Sequence, residues 1–159
     1  KYEWCCYCTT TKPSTTASNT QVTRQEAPKQ TAPKPTAPKS AADMTANEAL
    51  SAGQGYLRNG DYSNASKYFK SAADRGLAEA QYEIALLYKN GAGVAKSTAN
   101  AFTYMKSAAE AGFTKAYREL GEMYHGGRGT AKDRTQAEYW YKKAVDTGDQ
   151  KALRILNNM

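Results

Sequence analysis

Beyond residue 38 the chain has no proline, and beyond residue 8 no cysteine; it has one histidine in 159 residues and no long apolar run. Each scarcity excludes something. A single His125 with no cysteine near it gives no nucleophile–base pair and no Cys/His zinc set outside the N-terminus. The run Ile84 to Tyr88 falls far short of the ~20 apolar residues that a membrane-spanning helix needs. Without proline, residues 39–159 are free to form long helical stretches. The acidic and basic residues are also too evenly mixed to define a nucleic-acid surface. Residues 1–45 carry a net +3 and residues 46–159 a net +4, within a total of +7. The twelve tyrosines invite a base-stacking reading. Tyr56, Tyr68, Tyr88, Tyr104 and Tyr124, however, recur at packing positions of a repeat, so nucleic acid is not an expected partner.

That repeat is the main positive feature. Residues 80–112 align with residues 116–148 at a spacing of 36. Ala80 falls on Ala116, Ile84 on Leu120, Tyr88 on Tyr124, Gly91 on Gly127 and Gly93 on Gly129. Farther along, Ala101 falls on Ala137, Tyr104 on Trp140, Ala108 on Ala144 and Gly112 on Gly148. A period of this length marks stacked units that bury one another's apolar faces. Within a unit, Ala80, Ile84, Leu87 and Tyr88 lie on one helical face, as do Ala101, Tyr104, Met105, Ala108 and Ala109. A glycine-containing turn separates the two helices. Ser97 and Asp133 stand where an N-cap belongs before each second helix.

A looser copy lies upstream. Its second helix keeps the offset of 36, with Asp61 as cap, then Ala65, Tyr68, Ala72 and Gly76. Its first helix matches at 32, with Gly53 on Ala85 and Tyr56 on Tyr88, so the Asn59-Gly60-Asp61 turn is four residues shorter. Downstream, Ala152 restarts the first-helix pattern, giving a capping helix over 150–159. The expected architecture is all-α: repeats at about 46–77, 80–112 and 116–148, plus this cap.

Ala116, Leu120, Gly121, Tyr124, Gly127, Gly129, Asp133, Ala137, Trp140, Tyr141, Lys143 and Ala144 together resemble the Sel1-like repeat. The shorter first unit, with Gly53, Tyr56 and Gly60-Asp61-Tyr62, is closer to a tetratricopeptide repeat. Thr130, Ser97 and Asn100 depart from the usual residues of the turn. The resemblance covers about 46–159. It implies a right-handed α-solenoid with a concave, partner-binding face and no catalytic activity or cofactor. It also implies that first-helix side chains line that face. Counting from the packing positions gives Leu50, Gln54 and Leu57, then Tyr82, Leu86 and Lys89, then Arg118, Glu122 and His125, with Arg154 beyond. An apolar groove ending in Arg118 and Arg154 suits a peptide or protein partner with an acidic part.

The first 45 residues are different material. They hold all five prolines and three Ala-Pro-Lys triplets, at 27–29, 32–34 and 37–39. Such a run cannot pack a core and favours extended structure. It reads as a disordered tether, with a reach of about 90 Å over residues 12–40 at ~3.1 Å per residue. Cys5, Cys6 and Cys8 admit four readings: a metal site lacking a fourth ligand, a lipid attachment point, an intermolecular disulfide, or incidental thiols. The tether composition points to the periplasm or cell envelope, with a cytoplasmic scaffold as the alternative. A second functional reading makes the basic tail the active part, docking on cell wall or another anionic surface. The Gly-x-Gly turns superficially resemble phosphate loops, but they follow a helix rather than a strand, and they recur as structural turns do.

Overall fold

The computed structural model describes residues 40–159; the tail, its cysteines and its proline triplets lie outside them. The described residues form seven helices and no strand: α1 (Ala46–Arg58), α2 (Tyr62–Asp74), α3 (Ala78–Asn90), α4 (Thr98–Glu110), α5 (Thr114–Gly126), α6 (Arg134–Asp146) and α7 (Gln150–Asn157). Helices α1/α2, α3/α4 and α5/α6 form three pairs. Each helix packs on the next in sequence, as expected for units that bury one another's faces.

The ends of the helices follow from local chemistry. Asp61, Ser97 and Asp133 each accept a hydrogen bond from the backbone N–H three residues on, at Asn64, Asn100 and Gln136. These caps satisfy first-turn donors that the helix itself leaves unpaired. Thr45 and Glu48 form a reciprocal capping box on α1. The unit therefore begins upstream of the expected residue 46. Ser71 Oγ donates to the Ala41 carbonyl at 2.7 Å and Arg75 Nη2 to that of Ala42 at 2.6 Å, tying this segment to α2. The turn after α1 covers 59–61, whereas the turn after α3 covers 91–97, the four-residue difference expected from the sequence.

Small residues set the helix spacing. Ala49, Ala65, Ala72, Ala80, Ala85, Ala101, Ala108, Ala116, Ala137, Ala144 and Ala152 are all fully buried. Around them pack Phe69, Ile84, Met105, Leu120 and Tyr141, the largest side chains to be completely enclosed. Side-chain size is balanced across each pair. Gly53 faces Phe69 and Gly121 faces Tyr141, each so closely that an added Cβ would lie 2.7–2.8 Å from the ring. In the middle unit, the same register puts Ala85 with the slimmer Met105.

The long turns also join one unit to the one before it. A Cβ on Gly93 would meet the Tyr62 carbonyl at 2.2 Å, and one on Gly129 would meet that of Thr98 at 2.1 Å. Tyr62 and Thr98 are 36 residues apart and are the first residues of α2 and α4. Each second turn glycine thus lets the backbone seat against the start of the preceding unit's second helix.

The aromatic positions show where the repeats diverge. Tyr56 stacks on Tyr68 and Tyr88 on Tyr104, with centroids 5.2 and 5.9 Å apart. The aligned pair Tyr124 and Trp140 does not meet in this way. Tyr124 packs edge-on against Phe102 of the previous unit, and Trp140 turns to Tyr117 and Tyr139. Tyr117 takes the register that Gln81 holds in unit 2, giving Trp140 a ring to pack on. Lys143 Nζ then sits 5.1 Å from the Trp140 ring centre, a cation–π arrangement.

Candidate functional site

The side chains expected on the first-helix face fall into four groups. Leu50 is a correction: it is 9% exposed and belongs to the first core cluster with Ala49, Phe69 and Ile84. The upstream segment brings Met44 against that cluster, so the start of α1 is covered. Leu57, Tyr82 and Leu86 are half-buried, their inner edges packed on the core and their outer edges open. Tyr82 also lies 5.1 Å from the Phe113 ring, linking α3 to the entry of α5. His125 and Arg154 are exposed.

Of the remaining four residues, Gln54, Lys89 and Arg118 make polar ties to the next first helix or the capping helix, and Glu122 pairs with Arg118 within α5. Gln54 Nε2 donates to Glu79 Oε1 at 3.1 Å, joining α1 to α3. Lys89 Nζ lies 2.6 Å from Glu119 Oε2, joining α3 to α5. Arg118 reaches Glu119 at 3.1 Å, Glu122 at 2.5 Å and Asp149 at 3.0 Å. Asp149 is also the N-cap of α7, so Arg118 joins α5 to the capping helix. Burial alone would lower the Arg118 pKa, but Glu119, Glu122 and Asp149 outweigh it and hold the guanidinium above its ordinary value. Burial, followed by Glu119 and Glu83, pushes the Tyr82 hydroxyl up. Glu83 is raised by desolvation and by Glu79, with Lys115 opposing.

This geometry corrects the expected route to an acidic partner. Arg118 is not a free cation at the end of a groove; three carboxylates of its own chain already satisfy it. A partner carboxylate would have to displace them, and a bidentate guanidinium already held by several acids gains little from the exchange. The cross-unit acids Glu79, Glu119 and Asp149 were not singled out from the sequence. Their spacings from their partners, 25, 30 and 31 residues, do not repeat with the period of 36.

A second feature was also missed. A cavity of about 460 Å³ opens between the turn of unit 2 and the turn of unit 3, lined by Lys89, Asn90, Lys96, Thr98, Ala101, Met123 and Arg128. Three of these are cations and none is an acid. Among the described residues, no group of histidine, cysteine or acidic side chains could hold a metal ion, and no helix is long and apolar enough to cross a membrane.

Paired 13-residue helices, repeated glycine turns and a face of half-buried side chains together define an α-solenoid repeat protein. The Sel1 repeat matches residues 40–77, 78–113 and 114–149, and the chain belongs to the Sel1 repeat family. Repeats of this family are non-catalytic scaffolds for protein interactions.

Solved structures agree. A Sel1 repeat protein from Oxalobacter formigenes is 34% identical over 72% of this chain and 89% of its own, with a TM-score of 0.66. The protective antigen c5321 of uropathogenic Escherichia coli is 28% identical, with a TM-score of 0.69, over 72% of this chain but 25% of its own. Helicobacter pylori cysteine rich protein B shares the fold at 19% identity and a TM-score of 0.56, over 70% of this chain and 94% of its own. No curated protein matches the chain.

Proposed function

We propose that this protein is an interaction module that binds a peptide or partner protein on the face formed by α1, α3 and α5. The observation that carries this reading is the strip Leu57, Tyr82 and Leu86. These side chains are half-buried on successive first helices, flanked by polar ties that hold those helices in fixed register. Rigid, preorganised apolar side chains with a polar rim are the usual basis of an interface.

Crosslinking capture with residues 40–159 as bait tests the reading. Leu57→Ser combined with Leu86→Ser should lose the captured partner while keeping its helical signal. Lys70→Ala combined with Lys106→Ala, on exposed second-helix positions, should keep the partner. A folded Leu57/Leu86 variant that captures the same partner at the same yield would overturn the assignment. Comparing residues 40–159 with the full chain separates the alternative in which the basic tail does the binding. Residence in a bacterial envelope is part of the proposal, supported by the three Ala-Pro-Lys triplets of the tail; fractionation of the producing cell tests it.

A further inference from the structure

We infer that the cavity between the two long turns is a binding site for a small organic anion: a carboxylate or phosphate head on an apolar body. This site does not depend on partner binding at the first-helix face. It is set beside that face, at the C-terminal ends of α3 and α5, and shares only Lys89 with it.

The lining divides by chemistry. Ala101 and Met123 are buried core residues and supply an apolar floor. Lys89, Lys96 and Arg128 supply the walls. Lys89 is anchored by Glu119 at 2.6 Å, which fixes the position of its ammonium while leaving donors to spare, since an ammonium carries three. Lys96 and Arg128 make no ion pair with any described residue. Both are exposed and line the cavity, with no carboxylate of the described residues paired to them.

Thr98 is the first residue of the 13-residue helix α4. Its N-terminal dipole is offset by the C-terminal ends of α3 and α5, so the positive character of the site comes from the side chains. The volume, about 460 Å³, lies in the range of small-ligand pockets. A bare inorganic ion would leave the Ala101 and Met123 floor uncovered. An anion with a short apolar tail would cover the floor and meet the cations at once.

The probes are hexanoate, hexyl phosphate and hexanol, titrated into isotopically labelled protein and followed by amide shifts. Both acids should shift resonances of Lys89–Ala101 and Met123–Arg128 and saturate. Hexanol should bind at least about tenfold more weakly, because it lacks the charge-assisted contacts. Whichever acid binds more tightly identifies the head group. Lys96→Gln combined with Arg128→Gln changes exposed residues only. This variant should keep a dispersed spectrum and lose about tenfold or more in affinity for both acids. The inference is overturned if hexanol binds as tightly as the acids, if the double variant binds them unchanged, or if shifts scatter over the surface. Failure of both acids to bind by about 10 mM would overturn it equally.

Discussion

Gly121 and Tyr141 fit each other as a matched pair: a methyl group on Gly121 would lie 2.8 Å from Cδ1 and Cε1 of the Tyr141 ring, which is fully enclosed. In the middle unit the same two positions are Ala85 and Met105. Gly121→Ala should therefore destabilise the fold by about 1–2 kcal/mol, the overpacking cost less the gain in helix propensity. Tyr141→Met alone should cost about 1–3 kcal/mol through the space it leaves. The double substitution copies the middle unit and should fall well below the sum of the two. A denaturant double-mutant cycle checks this, and strictly additive losses would contradict the pairing.

The turn glycines offer a contrast at constant backbone sign. Gly129 has φ of +79° and Gly148 of +91°, so alanine is strained at either, by about 1–2 kcal/mol. Of the two, only Gly129 would bring the new Cβ against backbone, the Thr98 carbonyl at 2.1 Å; at Gly148 no described residue lies within 4 Å. Gly129→Ala should cost about 2–5 kcal/mol once the clash is added, and clearly more than Gly148→Ala. Equal losses in thermal unfolding would show that the joint between units contributes nothing.

Trp140 is 6% exposed and its indole Nε1 has no hydrogen-bond partner among the described residues. Trp140→Ala should cost about 3–5 kcal/mol through lost burial and the cavity left behind. Trp140→Phe should cost far less, because it also removes a buried donor that nothing satisfies. Chemical denaturation of both variants tests the ranking, which a loss for Trp140→Phe as large as for Trp140→Ala would refute.

Burial, with a further push from Glu122, raises the Tyr141 hydroxyl to about 12 from a usual value of 10.0. Below pH 10 the phenol is neutral whether the chain is folded or not, and the pH has no effect through this group. Between the two values the unfolded chain releases the proton while the folded chain retains it, so folding loses stability as pH rises. Unfolding titrations from pH 9 to 12 should show that decline. Tyr141→Phe should make it shallower; burial also raises Tyr68, Tyr82 and Tyr104, and their share should persist. An unchanged slope in the variant would mean that the Tyr141 hydroxyl reaches water.

Arg118 holds Asp149, the N-cap of α7, at 3.0 Å. Arg118→Gln should leave helices α1 to α4 unaffected and loosen α7. Amide exchange at residues 152–157 should speed up while that of 80–90 stays constant. Uniform acceleration along the chain would instead indicate a general loss of stability.

The helices and their caps were legible in the sequence because they depend on local signals that recur every 36 residues: Asp61, Ser97 and Asp133 before a helix, glycine after one. The contacts between units were less so. Tyr124 and Trp140 keep the register of Tyr88 and Tyr104, yet they choose other rings, because Tyr117 stands where unit 2 has Gln81. The burial of Leu50 is not legible in the repeat pattern, since the cluster it joins is completed in part by Met44, from a segment outside that pattern. Of the three acids on Arg118, Glu119 and Glu122 are on its own helix, but Asp149 is 31 residues away and meets it only once α7 docks. Lys96 and Arg128 carry no signal in the sequence, since their common cavity exists only once two turns are stacked.

The seating of Gly93 on Tyr62 and of Gly129 on Thr98 makes the array directional: each long turn is a key, and the start of the preceding second helix is its lock. Among the described residues the turn of unit 1 carries no key, for a Cβ on Gly60 would touch none of them within 4 Å. Adding or removing one residue in a long turn would pull a key from its lock and shift every later helix. Copying all of residues 78–113 would bring a key and a lock together. Such a protein can change length by whole units far more readily than by single residues.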